Sequence, residues 1–214
     1  MVELFTSQGC SSCPPADVLF EKYSKRSDVI ALTFSVHYWD NLGWKDTLAS
    51  PLFTNRQKAY AKARGDGQVY TPQVVVNGAA HVVGSDQSAI DGALKSSGRS
   101  SAAPWVPLKI TRSGGDMTVE ADGQEGVSGD ATIWIATVMR KVDVAVGRGE
   151  NAGRNLTYFN VVRSFEKVGS YAGKPVSIRL DGKLVDKAET DGLVALVQAA
   201  NSGPIIGAAM VAMK

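Results

Sequence analysis

The chain is expected to form an α/β domain followed by an all-β sandwich-like domain, and three observations carry that expectation. An extended apolar run, Val2-Glu3-Leu4-Phe5-Thr6, passes through a turn at Ser7 to Gly9 into a helical pattern that begins near Ser11. The nearly continuous apolar and β-branched run Val29 to Val36 reads as a strand covered on both faces, which belongs in the centre of a sheet. Beyond Ser96 to Pro104, a small, polar stretch containing glycine and proline, helical spacing almost disappears and alternating runs separated by glycine-rich turns take over. The expected boundaries are residues 1–97 for the first domain, 98–104 for a linker and 105–214 for the second domain.

The elements of the first domain follow from local chemistry. Ala16, Val18, Leu19, Phe20 and Tyr23 recur at helical spacing, and Pro14 and Pro15 suit a first helical turn, where a missing N–H costs little. A long aromatic and polar loop, His37 to Asp46, precedes a helix from about Phe53 to Arg64. Tyr70 to Gly78 then supplies a proline entering a strand, the strand Gln73 to Val76, and an Asn-Gly turn that predicts a hairpin with Ala80 to Val83. Asp86 to Ser96, with Ile90, Ala93 and Leu94 on one face, closes the domain as a helix.

In the second domain the strand candidates are Val106 to Arg112, Met117 to Ala121, Ala131 to Arg140, Val142 to Val146, Leu156 to Val168, Pro175 to Leu180, Gly192 to Gln198 and Ile205 to Met213. The segment Gly147 to Arg154 between two of them is not a G-x-G-x-x-G after a parallel strand, so it is no nucleotide loop. It reads either as a solvated hairpin tip or as a loop docked against the first domain.

Composition narrows the function classes. A formal charge of +2 with interspersed signs gives no nucleic-acid or polybasic membrane surface. No apolar run approaches the roughly 20 residues that span a bilayer. Two cysteines are too few for the disulfide framework of a small secreted domain.

Both cysteines sit in Cys10-Ser11-Ser12-Cys13. A cysteine at a helix start meets unpaired N–H groups and the positive end of the helix dipole, so Cys10 is expected to be the readily ionised, attacking thiol. Cys13, three residues on, is placed to resolve the mixed disulfide. The same spacing is half of a zinc site, but there is no third cysteine, and His37 and His81 are not spaced as the other half. No metal or other cofactor is implied. An inert structural disulfide is the competing reading of the pair.

Cys10-Ser11-Ser12-Cys13 together with Thr71-Pro72 resembles the thioredoxin superfamily over about Val2 to Ser97. That resemblance implies a four-stranded mixed sheet flanked by helices and a cis Thr71-Pro72 bond lying against the dithiol. More narrowly, Val2 to Cys10, Tyr38-Trp39-Asp40, Gly43-Trp44, Thr71-Pro72-Gln73 and Arg148-Gly149-Glu150-Asn151 look like a bacterial, exported thioredoxin-like family of unknown function with a C-terminal β-rich domain. The implied compartment is periplasmic or secreted, with the export segment outside this sequence. The spacer is Ser-Ser rather than the Gly-Pro of general reductases, so substrate preference is not inherited.

The expected activity is thiol–disulfide exchange with protein thiols or disulfides through Cys10 and Cys13, an oxidoreductase reaction. Thr71 and Pro72 are expected to line the substrate site, the backbone of Thr71 pairing with an extended substrate segment. Trp39 and Trp44 either wall the cysteines or pin the long loop to the core. Asp40 reads as an exposed loop acid or as the proton acceptor for Cys13, and His37 as a structural histidine or as an acid–base group. Two alternatives compete with exchange. One is a non-catalytic envelope interaction module with a fixed disulfide; the other is copper handling by two thiolates with His37.

Overall fold

A computed structural model describes residues 1–99, 104–114, 116–127, 131–182, 190–200 and 202–213. The element order is β1 (Val2–Thr6), α1 (Pro14–Ser24), β2 (Ala31–Ser35), α2 (Pro51–Arg64), β3 (Gln73–Val76), β4 (Ala80–Val83), α3 (Gln87–Arg99), β5 (Leu108–Ser113), β6 (Asp116–Ala121), β7 (Ala131–Ala145), β8 (Asn155–Tyr171), β9 (Val176–Leu180), β10 (Gly192–Gln198) and β11 (Ile205–Ala212). Most of the expected linker, residues 100–103, lies outside the described residues. No helix among the described residues is long and apolar enough to cross a membrane.

The expected fold class is corrected by the sheet topology. One mixed eight-stranded sheet has the order β11-β10-β7-β8-β2-β1-β3-β4, and a separate three-stranded sheet has the order β5-β6-β9. The chain therefore forms neither a helix-flanked thioredoxin-like domain with its own four-stranded sheet nor a following self-contained sandwich. It is mostly β, with three helices of 11, 14 and 13 residues among the described residues. The physical reason is an edge: β2 pairs with β1 on one side, and its other side is taken by β8 instead of being left unpaired. The two alternating runs at 131–140 and 142–146 merge into β7, and β8 is longer still at 17 residues.

By contacts the chain falls into two compact units, residues 1–99 with 140–161 and residues 100–139 with 162–214. β7 and β8 each contribute to both. In the first unit, β1 runs parallel to β2 and antiparallel to β3, which turns at Asn77-Gly78 into β4. Both turn residues have positive φ, 47° and 68°, as the expected hairpin turn requires. Helix α1 lays Ala16, Phe20 and Tyr23 on the same core as Val2, Leu4, Val74, Val76 and Ile90. Helix α2 starts at Ser50, whose hydroxyl accepts the Leu52 N–H, and stops at Gly65 in the left-handed conformation.

A buried ion pair ties α2 to the central strand. The Arg56 guanidinium donates to the Glu3 carboxylate at 2.8 Å, and Tyr60 donates to the other oxygen of Glu3. In the second unit, Val106, Met117, Val119 and Ala121 share one apolar core with Ile133, Ile135, Leu193, Ala195, Val197 and Ile206.

The contact between β2 and β8 is short and depends on side chains. One parallel pair, Thr33 with Val161, is registered. The Thr33 hydroxyl donates to the Phe159 carbonyl at 2.7 Å, and the Asn160 amide donates to the Ala31 carbonyl at 3.0 Å. Asn160 adopts φ 47°, a left-handed conformation that asparagine tolerates better than most residues. Asn160→Ala removes the amide and places a Cβ residue of poorer αL tolerance there. We expect a loss of about 2–4 kcal/mol in urea unfolding, with Asn160→Gly costing less because it keeps the backbone conformation.

Candidate functional site

The two cysteines form a disulfide. Their loop follows β1, and its backbone is pinned by short local bonds: Cys10 N–H to the Ser7 carbonyl and Cys13 N–H to the Cys10 carbonyl, each 3.2 Å. Helix α1 begins later than the sequence pattern implied. Its first residue is Pro14 and its N-cap is Cys13, so Cys10 lies three residues before the cap. Pro14 and Pro15 have no N–H to offer, and the Ala16 and Asp17 N–H groups both turn back onto the Cys13 carbonyl. The helix-amide argument for a Cys10 thiolate therefore does not describe this site. The donors that face the Cys10 sulfur are hydroxyls instead.

Thr71 is one of them. Its hydroxyl donates to Cys10 Sγ at 3.3 Å and accepts the Trp39 indole N–H at 2.9 Å, so indole, hydroxyl and sulfur form a chain. The Ser12 hydroxyl lies 3.4 Å from Cys10 Sγ and 3.5 Å from the Thr71 carbonyl. The Thr71-Pro72 bond is cis, as expected. Trp39 also closes over the turn before Cys10: a Cβ at Gly9 would stand 3.0 Å from the Trp39 Cβ, a position only glycine fills without a shift. Both sulfur-bearing residues are 0% exposed.

Trp44 stands one step further back. Its indole donates to Gln8 Oε1 at 2.8 Å, and its side chain backs the β7–β8 tip, where a Cβ on Gly149 would come within 3.1 Å of the Trp44 Cβ. Gly149 also has φ 78°, so the tip needs glycine there on two counts. His37 faces α2, its Nδ1 2.7 Å from the Thr54 hydroxyl. Asp40 accepts the Asp46 N–H at 3.1 Å and shapes the loop. Among the described residues no group of three His, Cys, Asp or Glu side chains is placed to hold a metal ion.

Two residues that the sequence reading did not single out, Asp17 and Asp46, and two that it quoted only within the motif Arg148-Gly149-Glu150-Asn151 complete the site. Asp17 lies one helical turn beyond Cys13, on the face that carries Ala16 and Phe20 into the core, and is 3% exposed. Its Oδ1 accepts from the Thr6 hydroxyl at 2.7 Å, while Oδ2 is buried without a hydrogen-bond partner, as are the Ser35 and Tyr158 hydroxyls. Burial pushes its carboxyl up to about 8, against the pull of the Thr6 hydroxyl and with the help of the nearby Asp46. Asp46 is also buried, accepts the Gln8 and Leu48 N–H groups at 2.8 Å, and is raised by burial. From the β7–β8 tip, Asn151 donates to the Gln8 and Cys10 carbonyls, both at 2.9 Å, and Glu150 accepts the Ser11 N–H at 3.3 Å. The i to i+4 spacing of Cys13 and Asp17 was the available signal for the first; for the tip residues it was the motif Arg148 to Asn151, whose docked reading the Asn151 contacts match.

A sizeable cavity of about 450 Å³, lined among others by Met1, Arg26, Asn77 and Asp91, includes none of these residues. What the cysteine loop can do is exchange a disulfide beside a carboxylic acid that is neutral at pH 7.

Because Asp17 is held protonated in the folded state but ionises near 3.8 when exposed, its contribution favours folding below about pH 4 and is lost as pH rises towards 8. Asp17→Asn should therefore gain stability over the wild type across pH 4 to 8, by about 1.4 kcal/mol per pH unit at most, with no further gain above 8. Urea unfolding of the oxidised proteins at a series of pH values checks this.

Comparison with known proteins places the chain in a wider group. The chain is similar to a solved structure, protein AGR_C_4864 from Agrobacterium tumefaciens, at 35% identity and a TM-score of 0.87, over 98% of this chain and 92% of that one. A hypothetical protein, PH1083 from Pyrococcus horikoshii OT3, matches at 12% identity and a TM-score of 0.26 over 51% of this chain and 88% of that one. No curated protein matches. The sequence profile of a family described as a protein of unknown function, DUF1223, matches residues 1–198, and the chain belongs to that family.

Proposed function

We propose that this protein carries out thiol–disulfide exchange on protein substrates through Cys10 and Cys13, in an extracytoplasmic compartment, periplasmic or secreted. The observation that carries the reading is Asp17, a buried carboxyl kept neutral at pH 7 one turn beyond Cys13. The formed disulfide fits an oxidising compartment, since cytosolic thiols are usually kept reduced.

In the oxidising direction a substrate thiolate attacks Cys10 Sγ, an S–S bond forms between substrate and Cys10, and the Cys10–Cys13 bond breaks with its electron pair on Cys13. Asp17 supplies the proton that neutralises the Cys13 thiolate. A second substrate thiolate then displaces Cys10, leaving an oxidised substrate and a reduced Cys10/Cys13 pair: two electrons have moved from substrate to protein. In the reducing direction the steps reverse, with Asp17 as its carboxylate accepting the Cys13 proton. Thr71 and Ser12 serve both directions by donating to Cys10 while its sulfur carries negative charge. Trp39 holds the Thr71 hydroxyl in place.

A second reading has its own support: both cysteines are fully buried, as in a fixed structural disulfide of a non-catalytic interaction module. Copper handling has less, because the His37 ring is engaged with Thr54.

A reduction potential separates the first two readings. A working pair should equilibrate with glutathione or with a thioredoxin-type dithiol, whereas a structural disulfide should lie below about −300 mV. We expect Cys13→Ser to accumulate mixed disulfides with protein substrates, and Cys10→Ser to accumulate none. A potential in the structural range, with no mixed disulfide in either variant, establishes the fixed disulfide instead.

A further inference from the structure

The tip of the β7–β8 hairpin is the part of the candidate site most distant in sequence from the cysteines, and its contacts fall on the cysteine loop itself. Asn151 is 0% exposed, and its single amide nitrogen bonds the carbonyls on both sides of Gly9, those of Gln8 and Cys10. The Arg154 guanidinium donates to Asn151 Oδ1 at 3.1 Å and fixes the amide's orientation. Beside it, the Glu150 carboxylate takes the Ser11 N–H, the amide directly after Cys10. An anion forming at Cys10 would use that amide if it were free.

We propose that Glu150 and Asn151 are positioning residues that restrain Cys10: Asn151 holds the loop closed over the disulfide, and Glu150 occupies the neighbouring anion position and opposes a thiolate there. This rests on the exchange reading above and deepens it, because it makes the hairpin tip the part that regulates the site. The contacts around the loop agree. The Asp46 carboxylate takes the Gln8 N–H and the Glu150 carboxylate the Ser11 N–H, while Arg154 is tied to Asn151. Cys10 thus has hydroxyl donors from Thr71 and Ser12, but the Ser11 amide is already engaged by a carboxylate. Displacement of the tip by a bound partner would free that amide, release the Gln8 and Cys10 carbonyls and remove the negative charge in one movement.

The charge arm is tested in the Cys13→Ser background, where Cys10 is the only thiol. Its thiolate is titrated by ultraviolet absorbance, and its alkylation by iodoacetamide is timed at neutral pH. Adding Glu150→Gln should lower the Cys10 pKa and speed alkylation about 2–5-fold at low salt, less at high salt, because an exposed charge is screened. Glu21→Gln, which removes a charge from the exposed side of α1, should change neither. The closure arm uses the full oxidised chain: Asn151→Ala should speed reduction by dithiothreitol at least severalfold, with circular dichroism confirming the fold. Equal titrations and alkylation rates for Glu150→Gln and its parent overturn the proposal, whether or not Asn151→Ala folds. An altered Cys10 titration without trapped substrates from Cys13→Ser would uphold the restraint and reject exchange as the function.

Discussion

The pairing of β2 with β8 is the constraint on which the candidate site depends. It consists of one registered residue pair and two side-chain bonds to backbone carbonyls, from Thr33 and Asn160. Regular ladders distribute their strength over many equivalent bonds; this junction concentrates it in a buried asparagine with a left-handed backbone. Because β8 starts at Asn155, directly after the tip, fixing residues 159–161 against β2 also fixes where residues 147–154 come to rest. They rest on the turn between β1 and α1, and that turn carries the cysteines. A local folding unit of strand, turn and helix thus acquires a cover that is more than a hundred residues away in sequence.

Two buried acids in this unit are handled in opposite ways, and the difference separates structure from chemistry. Glu3 is satisfied from α2 by Arg56 and Tyr60, so its charge is compensated and α2 is locked to the central strand. Asp17 receives one hydroxyl and no cation, and remains neutral to about pH 8. An uncompensated buried carboxyl destabilises the fold wherever it is forced to ionise, so a sequence shaped only for stability would favour a neutral group at that position. In the proposed exchange, its location one turn from Cys13 would give the cost a use.

Element by element, the sequence was highly legible. Alternation and turn residues located most strands to within two residues, and Asn77-Gly78 foretold its hairpin correctly because the required positive φ is written in those two residue types. Strand partners were not legible. Alternation at Leu156 to Val168 says that one face is covered, but not that the N-terminal end of the strand lies along β2, so an all-β sandwich and an independent α/β sheet were the economical and incorrect assembly. The site shows the same division. The Thr71 hydroxyl meets the Cys10 sulfur and the Trp39 indole meets that hydroxyl, whereas His37 turns to Thr54, Asp40 serves its own loop and Trp44 backs the tip. Asp17 was readable in principle from its four-residue spacing to Cys13; for Asn151 the sequence offered a docked loop as one of two readings, but not its partners, which exist only through a tertiary contact.

The helix start shows why residue type and position must be weighed together. Prolines at the first two helical positions are compatible with a helix, and the sequence pattern treats them as a mark of its beginning. They also delete the N–H groups that make a helix N-terminus attractive to an anion, and the next two amides close on the Cys13 carbonyl. The dipole persists, but its usual contact points do not, so the sulfur must be stabilised by side chains. Thr71 supplies one hydroxyl, held by Trp39, and Ser12 supplies another from within the spacer. The Ser-Ser spacer is therefore more than a departure from Gly-Pro: Ser12 provides a donor that the proline-capped helix cannot, and Ser11 provides the amide that Glu150 occupies. In the proposed exchange, reactivity at Cys10 would be set by a balance between these hydroxyls and that carboxylate, and every group in the balance except Glu150 lies in the first unit's own N-terminal stretch.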